Sequence, residues 1–233
     1  GLRVFGWRQP FRSAQISDAR RSAPPVEPGA TPQRGVVLVH GFVCNRGFWN
    51  PWLRELRLRG LPFEAVNLEP VFTSIDDYAS QVGAAVDRMR AATGQAPVLL
   101  CHSMGGLAAR AWLRTVNDPD RVRHIVTIAS PHHGTWIARF SHLPNGRQMR
   151  LHSAWIEALG RSETPAHRAK FTCWYSDCDN IVFPFETAEL PGARSRFVPG
   201  QAHLALAFHP RVMSETLDAL ASDHWPTEAP VSV

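Results

Sequence analysis

The chain has 233 residues, 44% of them hydrophobic and 19% charged, with a formal net charge of +5. That length suits one sizeable α/β domain rather than two, and that balance excludes a disordered chain. The positive charge is almost wholly scattered arginine, Lys170 being the single lysine; with no dense basic run and no zinc-finger spacing, no nucleic-acid partner is expected.

Residues 1–34 read as an N-terminal arm. They include "SAPPVEPGATPQ", too rich in proline and small residues for a packed element. Upstream of it, Val4, Phe5, Trp7 and Phe11 are apolar enough to be expected against the body or against a segment this chain has lost. The chain begins on Gly1 rather than methionine, so the expectation is a processed or trimmed chain that has lost a signal or anchor. No apolar run reaches the roughly 20 residues that span a bilayer.

From residue 35 to 233 a single domain is predicted, in which strands and helices alternate. "VVLVH" (36–40) is a short buried strand with β-branched residues. Residues 48–59 suit a helix stopped by Gly60. "FEAVNL" (63–68) is the next strand. Ser74 and Asp77 resemble a capping box, and the helix that follows carries Ile75, Tyr78, Val82, Val86 and Met89 at three- and four-residue spacing until Gly94 closes it. "PVLLCH" is a strand, "GGLAARAWLR" a helix and "VRHIVTIAS" (122–130) a strand. Residues 136–168 break the alternation with "LPNGRQM", read as a turn, and "SAWIEALG", a short amphipathic helix; they look like a cap or lid insertion over the strand ends. "KFTCWY" (170–175) and "SRFVPG" (195–200) resume as strands, and residues 210–222 form the closing helix. The alternation predicts a mostly parallel sheet with helices on both faces, whose ligands bind beyond the carboxyl ends of the strands.

Ser103 stands at such an end, where "VLLCHSMGGLAAR" passes from strand to helix. A turn that sharp exposes the serine and crowds the residues two before and two after it, Cys101 and Gly105, which must be small. The following helix aims its N-terminus at the serine. Serine is a poor nucleophile unless a base takes its proton and an acid orients that base. Two later strand ends supply candidates: Asp177 and Asp179 in "SDCDNIVFP", and His203 and His209 in "GQAHLALAFHP". One oxyanion donor is expected from the backbone of Met104, directly after the serine.

"VVLVHGF", "CHSMGG", "SPHHGT", "SDCDNIVFP" and "GQAHLALAF" together resemble a bacterial lipase/esterase of the α/β-hydrolase fold, closest to the compact Bacillus type, over residues 35–208. The order Ser, Asp, His is the one such enzymes use. The resemblance favours Asp179, which precedes Ile181, Val182 and Pro184, over Asp177, whose alternative role is turn formation. It favours His203, between Gly200 and Leu204, over His209, which suits a helix start. It also places the second oxyanion N–H on Phe42.

The implied activity is cleavage of short- to medium-chain acyl esters through an acyl-enzyme, with no cofactor and no metal. A thioesterase or amidase with the same triad, or a non-catalytic binding protein of this fold, are the alternatives. Candidate substrate contacts are Phe42, His133, Trp136, Ile181, Val182 and Leu204, with Trp49, Ile137, Phe140 and Trp155 in neighbouring loops. His40 is expected to hold the oxyanion loop, His102 to face away from the site, and His132 to pack. The expected partner is a small-molecule or lipid ester, with lipid-interface contact, bound by a monomer in a membrane-anchored or extracytoplasmic bacterial setting. Four cysteines are too few for a disulfide framework; Cys173 and Cys178 either pair or stay free.

Overall fold

The computed structural model describes residues 16–20, 33–116 and 118–225; the expected packing of Val4, Phe5, Trp7 and Phe11 lies outside them. Six strands form one sheet: β1 (Val36–Val39), β2 (Phe63–Val66), β3 (Val98–His102), β4 (His124–Ile128), β5 (Phe171–Tyr175) and β6 (Arg194–Phe197). Their order is β2-β1-β3-β4-β5-β6, and every neighbouring pair runs parallel.

The unbroken apolar runs follow from burial on both faces. Successive residues of a strand point to opposite sides. Val37, Val39, Leu99, Cys101 and Ile125 accordingly enter the core under helices α2 (Tyr78–Thr93) and α3 (Met104–Val116). Val36, Leu38, Val98, Leu100 and Val126 enter the opposite core, under α1 (Asn50–Leu58) and α8 (Pro210–Ser222). Gly94 ends α2 at φ +71°, a left-handed conformation that glycine adopts without a Cβ penalty.

Element edges differ from expectation by one to three residues, as helix and strand ends fray. Residues 46–49 form a 3-10 turn before α1, and 75–77 another before α2, which Ser74 caps through Asp76 N–H. Residues 136–168 are a chain of short helices: a 3-10 turn at 136–140, α4 (Pro144–Gln148), α5 (Ala154–Ser162) and α6 (Pro165–Arg168). "LPNGRQM" is therefore helical at its centre, with Pro144 at the first position, where its missing N–H costs nothing. Polar bonds pin the segment to the body. Asn145 Nδ2 donates to Val71 O at 2.8 Å, and Gln148 Oε1 accepts from Ile75 N–H at 2.7 Å. Arg110 of α3 forms a bidentate buried pair with Glu163, just beyond α5.

The described part of the arm seals the sheet edge. Ala19 and Phe63 exchange both backbone bonds in an isolated antiparallel bridge. Asp18 accepts from Ala65 N–H and from Arg46, while Arg20 reaches the buried Glu64. The edge donors of β2 are thus partly satisfied rather than left as a template for another chain.

A strand order that steps from β1 to β2 on one side and to β3 on the other creates a crevice at the carboxyl ends of β1 and β3. The residues following those two strands meet there.

Candidate active site

Ser103 follows β3 with φ +55°, a left-handed conformation rare outside glycine. Its N–H bonds Ile128 O of β4 at 2.9 Å, and its carbonyl accepts Gly106 N–H at 3.0 Å. The turn is possible only because Gly105 has no side chain: a Cβ there would lie 2.4 Å from Val39 O and 2.7 Å from His40 O. Cys101 is fully buried beneath the elbow, and burial holds its thiol far above the ordinary range, in the protonated, unreactive form.

β1 pairs with β3 so that Val39 lies opposite Cys101, which sets Gly41 and Phe42 beside the serine. His40 holds this loop. Leu68 N–H donates to its Nε2 at 3.0 Å, so the proton sits on Nδ1, which donates to Gly41 O at 2.9 Å. Burial lowers its pKa to about 4. Met104 opens α3, and the first four amides of a helix have no intrahelical acceptor. The amide of Met104 and that of Phe42 thus belong to segments meeting at the serine.

The candidate acid and base lie in the loops after β5 and β6. Asp179 is buried; its Oδ1 accepts Ile181 and Val182 N–H, each at 2.8 Å. Its Oδ2 lies 2.9 Å from His203 Nδ1. Asp177 faces solvent and instead accepts Gly200 N–H at 2.8 Å, a bond that lowers its pKa. Ser176 Oγ accepts Gln201 N–H at 2.8 Å and Asn180 Oδ1 accepts His203 N–H at 3.2 Å. The two loops are therefore stitched together along their length. His203 opens the short helix α7 (His203–Leu206), which sequence periodicity cannot reveal at that length. His209 caps α8, its Nδ1 accepting Arg211 N–H.

A cavity of about 530 Å³ joins these groups. Ser103 and His203 open into it, and its walls include Phe42, Cys44, Phe48, Ile181, Leu204 and Phe208. Three candidate contacts lie outside the lining. Val182 is buried beneath Asp179 and acts through its amide; His133 is held in its loop by Thr187 O; Trp136 lies on the surface against Arg139 and Phe140. Trp49 is in the core, Trp155 bonds Asp76, and Ile137 and Phe140 face solvent. No residue of 136–168 lines this cavity. Phe48, Asn180 and Phe208 were missed, because each sits on an element whose sequence reads as packing or turn.

His102 is also among the lining residues. It does not face away from the site: its ring stacks on Phe48 and lies tilted against His203, with centroids 4.5 and 4.7 Å away. His132 is fully buried, bonded to Thr127 Oγ1 at 3.0 Å and 3.6 Å from Cys173 Sγ. All four cysteines are free thiols; Cys173 is inside β5 while Cys178 faces solvent. Among the described residues no cluster of three or more His, Cys, Asp or Glu could hold a metal, and no helix is long and apolar enough to cross a membrane.

Three solved structures share this architecture. The mature form of Bacillus licheniformis lipase BlEst2 superposes with a TM-score of 0.72 at 15% identity, covering 84% of this chain and 96% of that one. Aspergillus fumigatus lipase B gives 0.69 at 19%, over 81% and 52%. Paleococcus ferrophilus monoacylglycerol lipase gives 0.58 at 15%, over 82% and 97%. At these identities the likeness is one of fold. Residues 36–231 match the sequence profile described as the Alpha/beta hydrolase family. With the parallel sheet, the strained elbow after β3 and that match over most of its length, the chain belongs to the alpha/beta hydrolase family.

Proposed function

We propose that this protein is a serine ester hydrolase that cleaves short- to medium-chain acyl esters through an acyl-enzyme. The reading is carried by one observation: His203, paired with the buried Asp179, opens into the same largely apolar cavity as Ser103, which a left-handed turn presents at the head of α3.

Asp179 fixes the His203 tautomer with the proton on Nδ1, leaving Nε2 as the base. His203 takes the hydroxyl proton as Ser103 Oγ bonds to the ester carbonyl carbon. The carbonyl oxygen becomes an oxyanion, stabilised by the amides of Met104 and Phe42 and by the head of α3. The imidazolium returns its proton to the alkoxide as the carbon–oxygen bond breaks, and the alcohol leaves. Water, deprotonated by the same histidine, then attacks the acyl-enzyme and releases the acid and Ser103. The aromatic and aliphatic walls receive the acyl chain.

Surface around the mouth supports an ester presented at a lipid surface. Phe72, half exposed, packs on the cavity wall at Phe42, their rings 5.9 Å apart. Beyond Ile181 on the cavity wall, Phe183 is exposed and its carbonyl binds Trp136 N–H. Trp136 and Phe140 carry the Arg139 guanidinium over their faces, the arrangement of an amphipathic side chain at an apolar boundary.

Hydrolysis of p-nitrophenyl butyrate by wild type and by Ser103→Ala tests the reading. We expect the alanine variant to lose at least about 10⁴-fold in kcat; turnover at the wild-type rate would refute the assignment. Butyryl thioester and anilide substrates place the ester preference, and emulsified tributyrin tests the lipid surface.

A further inference from the structure

We propose that His102 and Asn180 are positioning residues for His203, gripping its backbone from two sides so that the imidazole stays between Asp179 and Ser103. The inference rests on the serine-hydrolase reading and adds what holds its base in place.

His203 sits at the first position of a four-residue helix, and one helical turn has little rigidity of its own. Its N–H is one of the first-turn donors with no partner inside the helix; Asn180 Oδ1 takes it at 3.2 Å. Its carbonyl lies 3.2 Å from His102 Nε2. A carbonyl only accepts, so His102 carries its proton on Nε2 and donates it there. The side-chain Nδ1 is held by Asp179. Backbone donor, backbone acceptor and ring are thus each fixed by a different residue.

His102 itself cannot shift. It is almost wholly buried, and its ring lies between Phe48 and His203, at 28° to the Phe48 plane. It is also the residue bonded directly to Ser103, and Asn180 is the residue bonded directly to Asp179. The nucleophile and the acid therefore each have a chain neighbour that grips the base. One consequence is that the Ser103–His203–Asp179 spacing is set by covalent geometry and two hydrogen bonds, not by loop packing alone. The mixed wall of the cavity then has a purpose: apart from the triad, His102 and Asn180 supply its polar side-chain nitrogens.

The experiment uses the full chain as wild type, His102→Phe, His102→Gln and Asn180→Ala. A fluorophosphonate probe gives the labelling rate and the final labelled fraction; p-nitrophenyl butyrate gives kcat and KM. His102→Phe keeps the stacked ring and removes the donor, His102→Gln keeps a donor, and Asn180→Ala changes an exposed residue. His102→Phe and Asn180→Ala should label to completion but about 10- to 100-fold more slowly, with kcat falling by the same factor and KM within about twofold. His102→Gln should recover most of the rate. Wild-type labelling rates in His102→Phe and Asn180→Ala would overturn the proposal, as would a lowered final fraction at unchanged rate, or no recovery with glutamine. Should His102→Phe fail to fold, Asn180→Ala and His102→Gln decide. A folded wild-type chain that does not label refutes the hydrolase reading and this inference with it; a wild type that labels beside unaffected variants refutes the inference alone.

Discussion

Removing the Glu163 carboxylate should destabilise the fold by about 3–5 kcal/mol, the cost of leaving a buried charge without its partner. The magnitude follows from the site. The Arg110 side chain is 1% exposed and the Glu163 side chain 4%, and they meet through two bonds, at 2.5 and 3.0 Å. Arg110 retains His132 O at 2.8 Å when Glu163 becomes alanine, but a carbonyl does not neutralise a guanidinium. In a chain of this length about 1 kcal/mol moves Tm by roughly 2–4 °C, so Glu163→Ala should melt about 6–20 °C lower. Thermal melts and urea titrations followed by tryptophan fluorescence measure it. The double variant Arg110→Met/Glu163→Leu removes both charges and should recover most of the loss, because apolar replacements of a buried pair are often neutral or stabilising by about 1–4 kcal/mol. A loss below about 1 kcal/mol in Glu163→Ala, the value of an exposed pair, would refute the claim that this pair is desolvated and anchors residues 136–168.

Gly105→Ala should cut fluorophosphonate labelling of Ser103 by about 10²-fold or more, since a Cβ 2.4 Å from Val39 O forces the elbow open; labelling at the wild-type rate would show that the turn tolerates a side chain. Cys101→Ala should keep most activity, whereas Cys101→Leu, which overpacks a fully buried site, should cost about 1–3 kcal/mol and damage the turn; the labelling assay on both variants checks this. Acid should destabilise the protein before most carboxylates titrate. His40, His102, His124 and His132 are buried and neutral, with pKa values lowered to about 4 for His40, about 3 for His124 and well below 6.5 for the other two, mainly by burial. Below about 6.5 the unfolded chain binds protons that the native state excludes, so stability is full above that pH and is lost as pH falls toward the folded values, at up to about 1.4 kcal/mol per pH unit for each histidine. Tm measured from pH 7.5 to 5 should fall; an unchanged Tm would refute the neutral burial of these rings.

Much of the fold is legible because its signals are local. Apolar runs of four or five residues, helical spacing from Tyr78 to Met89 and stop residues such as Gly94 all act within one turn or strand. The small elements between residues 136 and 206 were less legible. Helices α4, α6 and α7 are too short to show a period, and they form because neighbours supply partners, as Val71 O does for Asn145. Asp177 and Asp179 are chemically alike and two residues apart. What separates them is the direction of their side chains, one toward Gly200 N–H in solvent and the other toward the buried His203 ring.

By itself, then, the sequence determined the alternation of strand and helix, the small residues that let Ser103 turn, and the presence of a serine, an aspartate and a histidine, in that order, each after a strand. These depend on residue size, polarity and spacing, which the chain carries in one dimension. The tertiary structure decided which further residues wall the cavity. Phe48 precedes α1, Asn180 follows β5 and Phe208 precedes α8, and only the parallel register of the sheet brings them to one crevice. It also decided that His102, the neighbour of Ser103, lies against His203. As the last residue of β3, His102 keeps the strand's alternation and points to the face of Leu100 and Phe48; only the fold brings the His203 carbonyl to that same face.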